Sequence, residues 1–354
     1  MNDTDINDIR IIKDFRGISF SNYKKSDVNR ELIKCLNQNK IESACNWSAE
    51  LICAGHYIDL WEIILLYSSK YIHIGNPKLP IYLNMRFNNF KEIVKNGYTG
   101  NELSMRNNSK IRILFAEIIA VLCMSQKKPS FETIKINKTD EFNLSFISTK
   151  FKAPDIKFIK PYFKTGDPKE LFIPLNEYAY NIKNKNMFLA SYWAQWIIEF
   201  ELFCRKKKDI ITCERRAFVP ADDKFQLDPI WIIWEIILDN SNKDMLKHKI
   251  CISLLELFCI RFNFSSKRKR RYILYFAHQI ILDPFSIKPI IENNKIVETI
   301  SKKINAIYKQ VKKNEHAPET DYLFDSLGKE KSNLEKTIEK LDKMESLNNF
   351  VPRS

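Results

Sequence analysis

The residues best placed to do chemistry are cations in runs. Arg205, Lys206, Lys207 and Lys208 form one run and Lys267, Arg268, Lys269, Arg270 and Arg271 a second, with the pair Arg215 and Arg216 between them. Guanidinium and ammonium groups at this density suit phosphate, and Arg215 and Arg216 suit its bidentate contact. The first run closes a helical pattern, where cations complement the negative end of the helix dipole. The second opens a helical pattern, so its charges oppose the dipole and repel one another, at a cost on the order of 1 kcal/mol. An anion should offset that cost, and phosphate is the obvious one; a nuclear-localisation signal fits the same residues. None of this specifies base readout.

Acidic chemistry has one candidate. Asp222, Asp223 and Asp228 could hold a metal ion as in a nuclease, although each could instead cap the helix carrying Trp231 or pair with Arg215 and Arg216. Trp193 and Trp196, like Trp231 and Trp234, stand three residues apart on one helix face, which favours core packing over base stacking. The patterns GxxxxGK[ST], HExxH, GxSxG and GxGxxG do not occur, and with 7 glycines in 354 residues no triphosphate cradle is expected. The 8 cysteines form no CxxC and sit mostly among apolar residues, the pattern of buried reduced thiols rather than zinc ligands. No cofactor, no metal and no enzymatic activity are expected.

These residues need a frame, and the chain is rich enough in apolar residues to build one: 45% are hydrophobic. The expected fold is mainly α, with two helical domains joined by a proline-containing extended linker and ending in a polar tail. Residues 1–25 read as a polar leader. Residues 26–130 form the first helical domain, with Ser26 and Asp27 capping a helix that buries Val28, Leu32, Ile33 and Leu36, and Gly55 ending the helix from Glu42. Further helices are expected over 60–72, from Pro77, and over 109–124. Prolines 154, 161, 168 and 174 turn 131–178 into a linker with one possible hairpin. Residues 179–313 form the second domain, with helices near 186–207, 228–240, 243–262, 267–282 and 293–313 and the cations on one face. Residues 314–354 read as a partly disordered tail whose stripe is Leu334, Ile338, Leu341 and Met344.

The formal charge of +14 attracts polyanions, so nucleic acid is the expected partner, contacted through phosphates without sequence preference. Lysine-, isoleucine- and asparagine-rich usage, typical of an AT-rich genome, would raise the charge on its own. The polar N-terminus lacks a secretory signal, and the apolar run 229–238 is too short to span a bilayer, so a soluble intracellular protein is expected.

Between residues 42 and 128 the sequence resembles a known family. The run from Ala44 to Gly55, the segment from Ser68 to Pro77, and Ala116-Glu117 through Lys128 are similar to the C-terminal collar domain of the MgsA and Werner-helicase-interacting AAA+ ATPases. Ser69, Ile72, Ile74 and Pro77 match that pattern, while His73 and Gly75 depart from it. The resemblance implies an all-helical module for oligomerisation or protein contact at replication forks. It covers about a quarter of the chain and brings no ATPase, since some 25 residues precede the first helix. The whole chain also looks like proteins of giant nucleocytoplasmic DNA viruses, placing it in a viral factory in the host cytoplasm, in the nucleus or in the virion. A non-catalytic accessory factor of DNA replication, repair or transcription is the function expected. A virion packaging protein with helical interfaces is the alternative.

Overall fold

The computed structural model describes residues 4–138, 140–143, 147–291 and 293–316. The tail stripe Leu334, Ile338, Leu341 and Met344 lies outside them. The described chain is mainly helical, and none of its helices is long and apolar enough to cross a membrane.

The N-terminal half is built from helices α1 (Lys25–Asn37), α2 (Ile41–Cys53), α3 (Tyr57–Leu66), α4 (Leu79–Lys95) and α5 (Ser109–Met124). Helix α1 buries Val28, Leu32, Cys35 and Leu36, one face at helical spacing. It starts ahead of Ser26 and Asp27, so Asp27 stands in the first turn rather than capping it. Gly55, at φ +76°, lets the chain leave α2, a left-handed step that other residues take at a cost. Helix α3 runs into a π-turn, Tyr67–Ile72. Asn108 caps α5 by accepting from the amides of Lys110 and Ile111 at 2.8 and 3.3 Å.

Residues read as a leader are packed: Ile6, Phe15 and Phe20 are buried, and the Arg10 guanidinium lies over the rings of Phe15 and Phe20.

The expected linker is shorter than its prolines suggest. Helix α6 (Phe172–Lys183) carries Pro174 in its first turn, where no amide donor is needed. The preceding segment forms no hairpin among the described residues. It is strapped to α6 instead. The amides of Lys152 and Ala153 donate to the Glu177 carboxylate at 3.0 and 2.9 Å, and the Ile159 amide donates to Asn176 at 3.2 Å.

Then follow α7 (Met187–Lys206), α8 (Ile230–Ser241), α9 (Met245–Phe258), the one-turn α10 (Ser266–Lys269), α11 (Arg271–Leu282) and α12 (Asn294–Lys312). Trp193, Trp196, Trp231 and Trp234 are all buried. The two halves interlock: α9 packs on α4, and α12 returns to pack on α2 and α5. One continuous apolar core results.

Candidate nucleic-acid interface

The eleven candidate cations divide by what their neighbours are. Glu199, Glu201 and Arg205 of α7 engage α10 and the residues just before it. Lys267, on α10, is 1% exposed, with its Nζ 2.5 Å from Glu201 and 2.5 Å from Asp228. Arg205 reaches the other Glu201 oxygen at 2.6 Å and covers the Phe264 ring. Asp228 also accepts from the Ile230 amide at 3.0 Å, holding the start of α8. Arg268 forks on Glu199 at 2.7 and 2.6 Å, and Lys138 approaches the same carboxylate at 3.0 Å. Burial would raise the Glu199 carboxyl, but the bonds from Arg268 and Lys138 outweigh it and hold the group below its ordinary range.

Arg270 ties the two halves together. Its guanidinium pairs with Glu62 of α3 and donates to the Phe258 carbonyl at 2.7 Å. Arg271 donates to the Arg268 carbonyl at 2.6 Å and is half-buried. The repulsion within the run 267–271 is therefore offset inside the protein, by Glu199, Glu201, Asp228 and Glu62. Lys267 and Arg270 are not surface contacts for phosphate. Nor is Arg216, which is 1% exposed and engages Asp167 at 2.5 and 2.6 Å, Glu235 at 3.0 Å and two carbonyls. Its neighbour Arg215 is exposed and pairs with Asp223 at 2.9 Å.

The remaining candidates face solvent. Lys206, Lys207 and Lys208 stand exposed at the end of α7, with Lys207 over the Phe203 ring. Lys269 is exposed at the edge of a cleft that Asn29 and Glu62 also line. Lys206, Lys208 and Lys269 have no ion-pair partner among the described residues.

The acidic trio does not assemble. Asp228 is committed to Lys267 and the α8 terminus, Asp223 pairs with Arg215, and Asp222 is exposed. No group of three His, Cys, Asp or Glu side chains among the described residues is placed to hold a metal ion.

Two buried histidines escaped the sequence reading. His278 accepts or donates between Tyr178 and Ser191, at 2.9 Å to each. His73 stacks on Phe276 with ring centroids 4.7 Å apart. Burial lowers them to about 3 and about 4 respectively, so both are neutral near pH 7. Their apolar sequence surroundings were the available signal.

Burial also sharpens the overall charge. Among described residues, seven carboxylates are buried (Glu50, Glu141, Asp167, Glu177, Glu199, Glu201 and Asp228) but only five Lys or Arg (Arg106, Arg112, Arg216, Lys267 and Arg270). Folding thus removes more negative than positive charge from the surface. No protein-family model, curated protein or solved structure matches the chain.

Proposed function

We propose that this protein is a non-catalytic, nucleic-acid-associated accessory factor that contacts phosphates without sequence preference, serving viral DNA replication, repair or transcription. The observation that carries the nucleic-acid part is the charge asymmetry: an already cationic chain buries carboxylates in preference to cations, leaving a positive surface field. Residues 317–354 hold 6 Lys and Arg against 8 Asp and Glu, so the positive excess belongs to residues 1–316. The exposed Lys206, Lys207 and Lys208 contribute to it. The viral setting and the processes served rest on residue usage and on the family resemblance. A protein-contact role for residues 26–130 is what that resemblance implies, and their all-helical build supports it.

The test is equilibrium binding of the full chain to a duplex and to a single strand of unrelated sequences, at several salt concentrations. This reading expects similar affinity for each sequence and a linear fall of log K with log salt. Absence of binding at about 50 mM salt, together with abundance in purified particles, would overturn it in favour of a packaging protein.

A further inference from the structure

Resting on the nucleic-acid reading above, we infer that the phosphate-binding surface is a lysine seam running from the outward face of α12 to the adjoining end of α5 and the turn before α2, not the runs at 205–208 and 267–271. Four parts of the chain are held together there. The Lys127 ammonium bonds the Asn39 side chain and so joins the end of α5 to the turn before α2, next to Lys40. Lys288 donates to the Gln126 side chain at 2.9 Å. Asn76 donates to the Ile290 carbonyl at 3.0 Å and to Ser125 at 3.1 Å, which fastens the segment ahead of α12 to the same end of α5.

Helix α12 completes the seam. It buries Val297, Ile300, Ile304, Tyr308 and Val311 against α2 and α5, and that apolar stripe fixes which way its other side chains point. At about 100° per residue, Lys295 and Lys302 fall almost opposite the stripe, two turns or about 10.5 Å apart along the axis. Lys303 lies about a quarter-turn round the helix from them. Lys40, Lys128, Lys288, Lys295, Lys302 and Lys303 are all exposed, and none has an ion-pair partner among the described residues. The exposed carboxylates on α2 and α12 here are Glu42 and Glu298.

This environment differs in kind from the 267–271 run, where Lys267, Arg268 and Arg270 are spent on carboxylates of the protein itself. Ammonium groups on long stems act as adaptable point charges, suited to a phosphodiester backbone read without base contacts. The outward face of α12 presents no exposed large apolar side chain to enter a bilayer; Ile287 is the one nearby. A nucleic-acid strand therefore fits this surface better than a membrane does.

The test compares two variants of the full chain, K128S/K288S/K295S/K302S in the seam and K206S/K207S/K208S at the end of α7. Both change exposed side chains, so melting temperatures should match the parent. Binding to a 30-base-pair duplex is followed by anisotropy against salt. The seam variant should lose about tenfold or more in affinity near 0.1 M salt, and its log–log slope should shrink by about three to four. The α7 variant, whose lysines add only to the general field, should lose about threefold or less and keep its slope within about one of the parent. Equal losses in both variants, or parental binding by the seam variant, would overturn the assignment while leaving the nucleic-acid reading intact. If the parent binds no nucleic acid, that reading fails first. Capture of the parent but not the seam variant by phosphatidylserine vesicles would then reassign the surface to a membrane and overturn this proposal.

Discussion

The Lys267 ammonium and the Asp228 carboxylate lie 2.5 Å apart with almost no contact with solvent, although 39 residues separate them in sequence. Glu201 completes the group from α7. A cation in this position is part of the core. Removing it leaves Asp228 buried without a counter-charge and Glu201 with Arg205 alone, which costs far more than the lost attraction. Lys267→Ala should therefore lower unfolding stability by about 3–5 kcal/mol. Urea denaturation checks this, with Lys269→Ser, an exposed change, expected to stay within about 0.5 kcal/mol. The triple variant Lys267→Met, Asp228→Asn, Glu201→Gln should recover much of the loss. A Lys267→Ala protein as stable as the parent would mean that the buried network is not formed.

Arg216 gives a second buried pair with a distinct pH signature. Burial alone would raise the Asp167 carboxyl, but the fork from Arg216 overrides it and holds the group below its ordinary value of 3.8. A carboxyl depressed on folding stabilises fully above that value, and the contribution fades as pH falls through the lower folded one. In Arg216→Met that depression should weaken, because only the Lys164 and Glu214 amides, at 2.8 and 2.9 Å, are then left to hold the carboxylate against burial. Stability of this variant should rise relative to the parent as pH is lowered through 3.8, as measured by urea midpoints. Arg216→Lys should not rescue the parent's behaviour, since an ammonium cannot hold the fork, Glu235 and the carbonyls together.

These pairs explain what sequence could and could not reveal. The limits of α5, the end of α2 at Gly55 and the burial of the four tryptophans follow from residues within a few turns of one another, and they were legible. Helix α6 was missed because Pro174 reads as a breaker, whereas in a first turn it is compatible with helix. The cation runs misled for the opposite reason. Their counter-charges come from residues 39, 69 and 208 positions away, Asp228, Glu199 and Glu62, and no local pattern discloses such pairings. Burial of Phe15 and Phe20 was likewise invisible in a stretch that is polar on average.

Gly75, one of the two departures from the collar pattern, has a steric reason to be glycine. A Cβ there would sit 2.1 Å from the Gln126 carbonyl oxygen and 2.8 Å from that of Ile72, and both are backbone atoms that cannot swing aside. Gly75→Ala should thus force the turn after the π-segment away from the end of α5. A loss of about 2 kcal/mol or more in thermal or urea unfolding is expected. Gly97→Ala is the useful comparison. Nothing lies within 4 Å of its Cβ, and only its φ of +110° penalises a side chain, so about 1 kcal/mol is expected there.

The buried histidines make the protein acid-sensitive well above the carboxylate range. His278 is lowered to about 3 and His73 to about 4 by burial, against an ordinary value of 6.5. Below pH 6.5 the unfolded chain takes up protons at both sites while the folded protein does not, so acid favours unfolding. Their contribution is complete above pH 6.5 and is lost progressively as pH falls towards 4. Each histidine adds about 1.4 kcal/mol per pH unit to the slope in that window, about 2.7 together. His278→Gln preserves a group able to bond Tyr178 and Ser191 but cannot titrate. It should therefore be somewhat less stable at pH 7 and show roughly half the parental slope between pH 6 and 4.5. Unfolding free energies from urea titrations at four pH values measure this directly. A slope unchanged by His278→Gln would show that the ring is protonated in the folded protein, contrary to its enclosure between two hydroxyls.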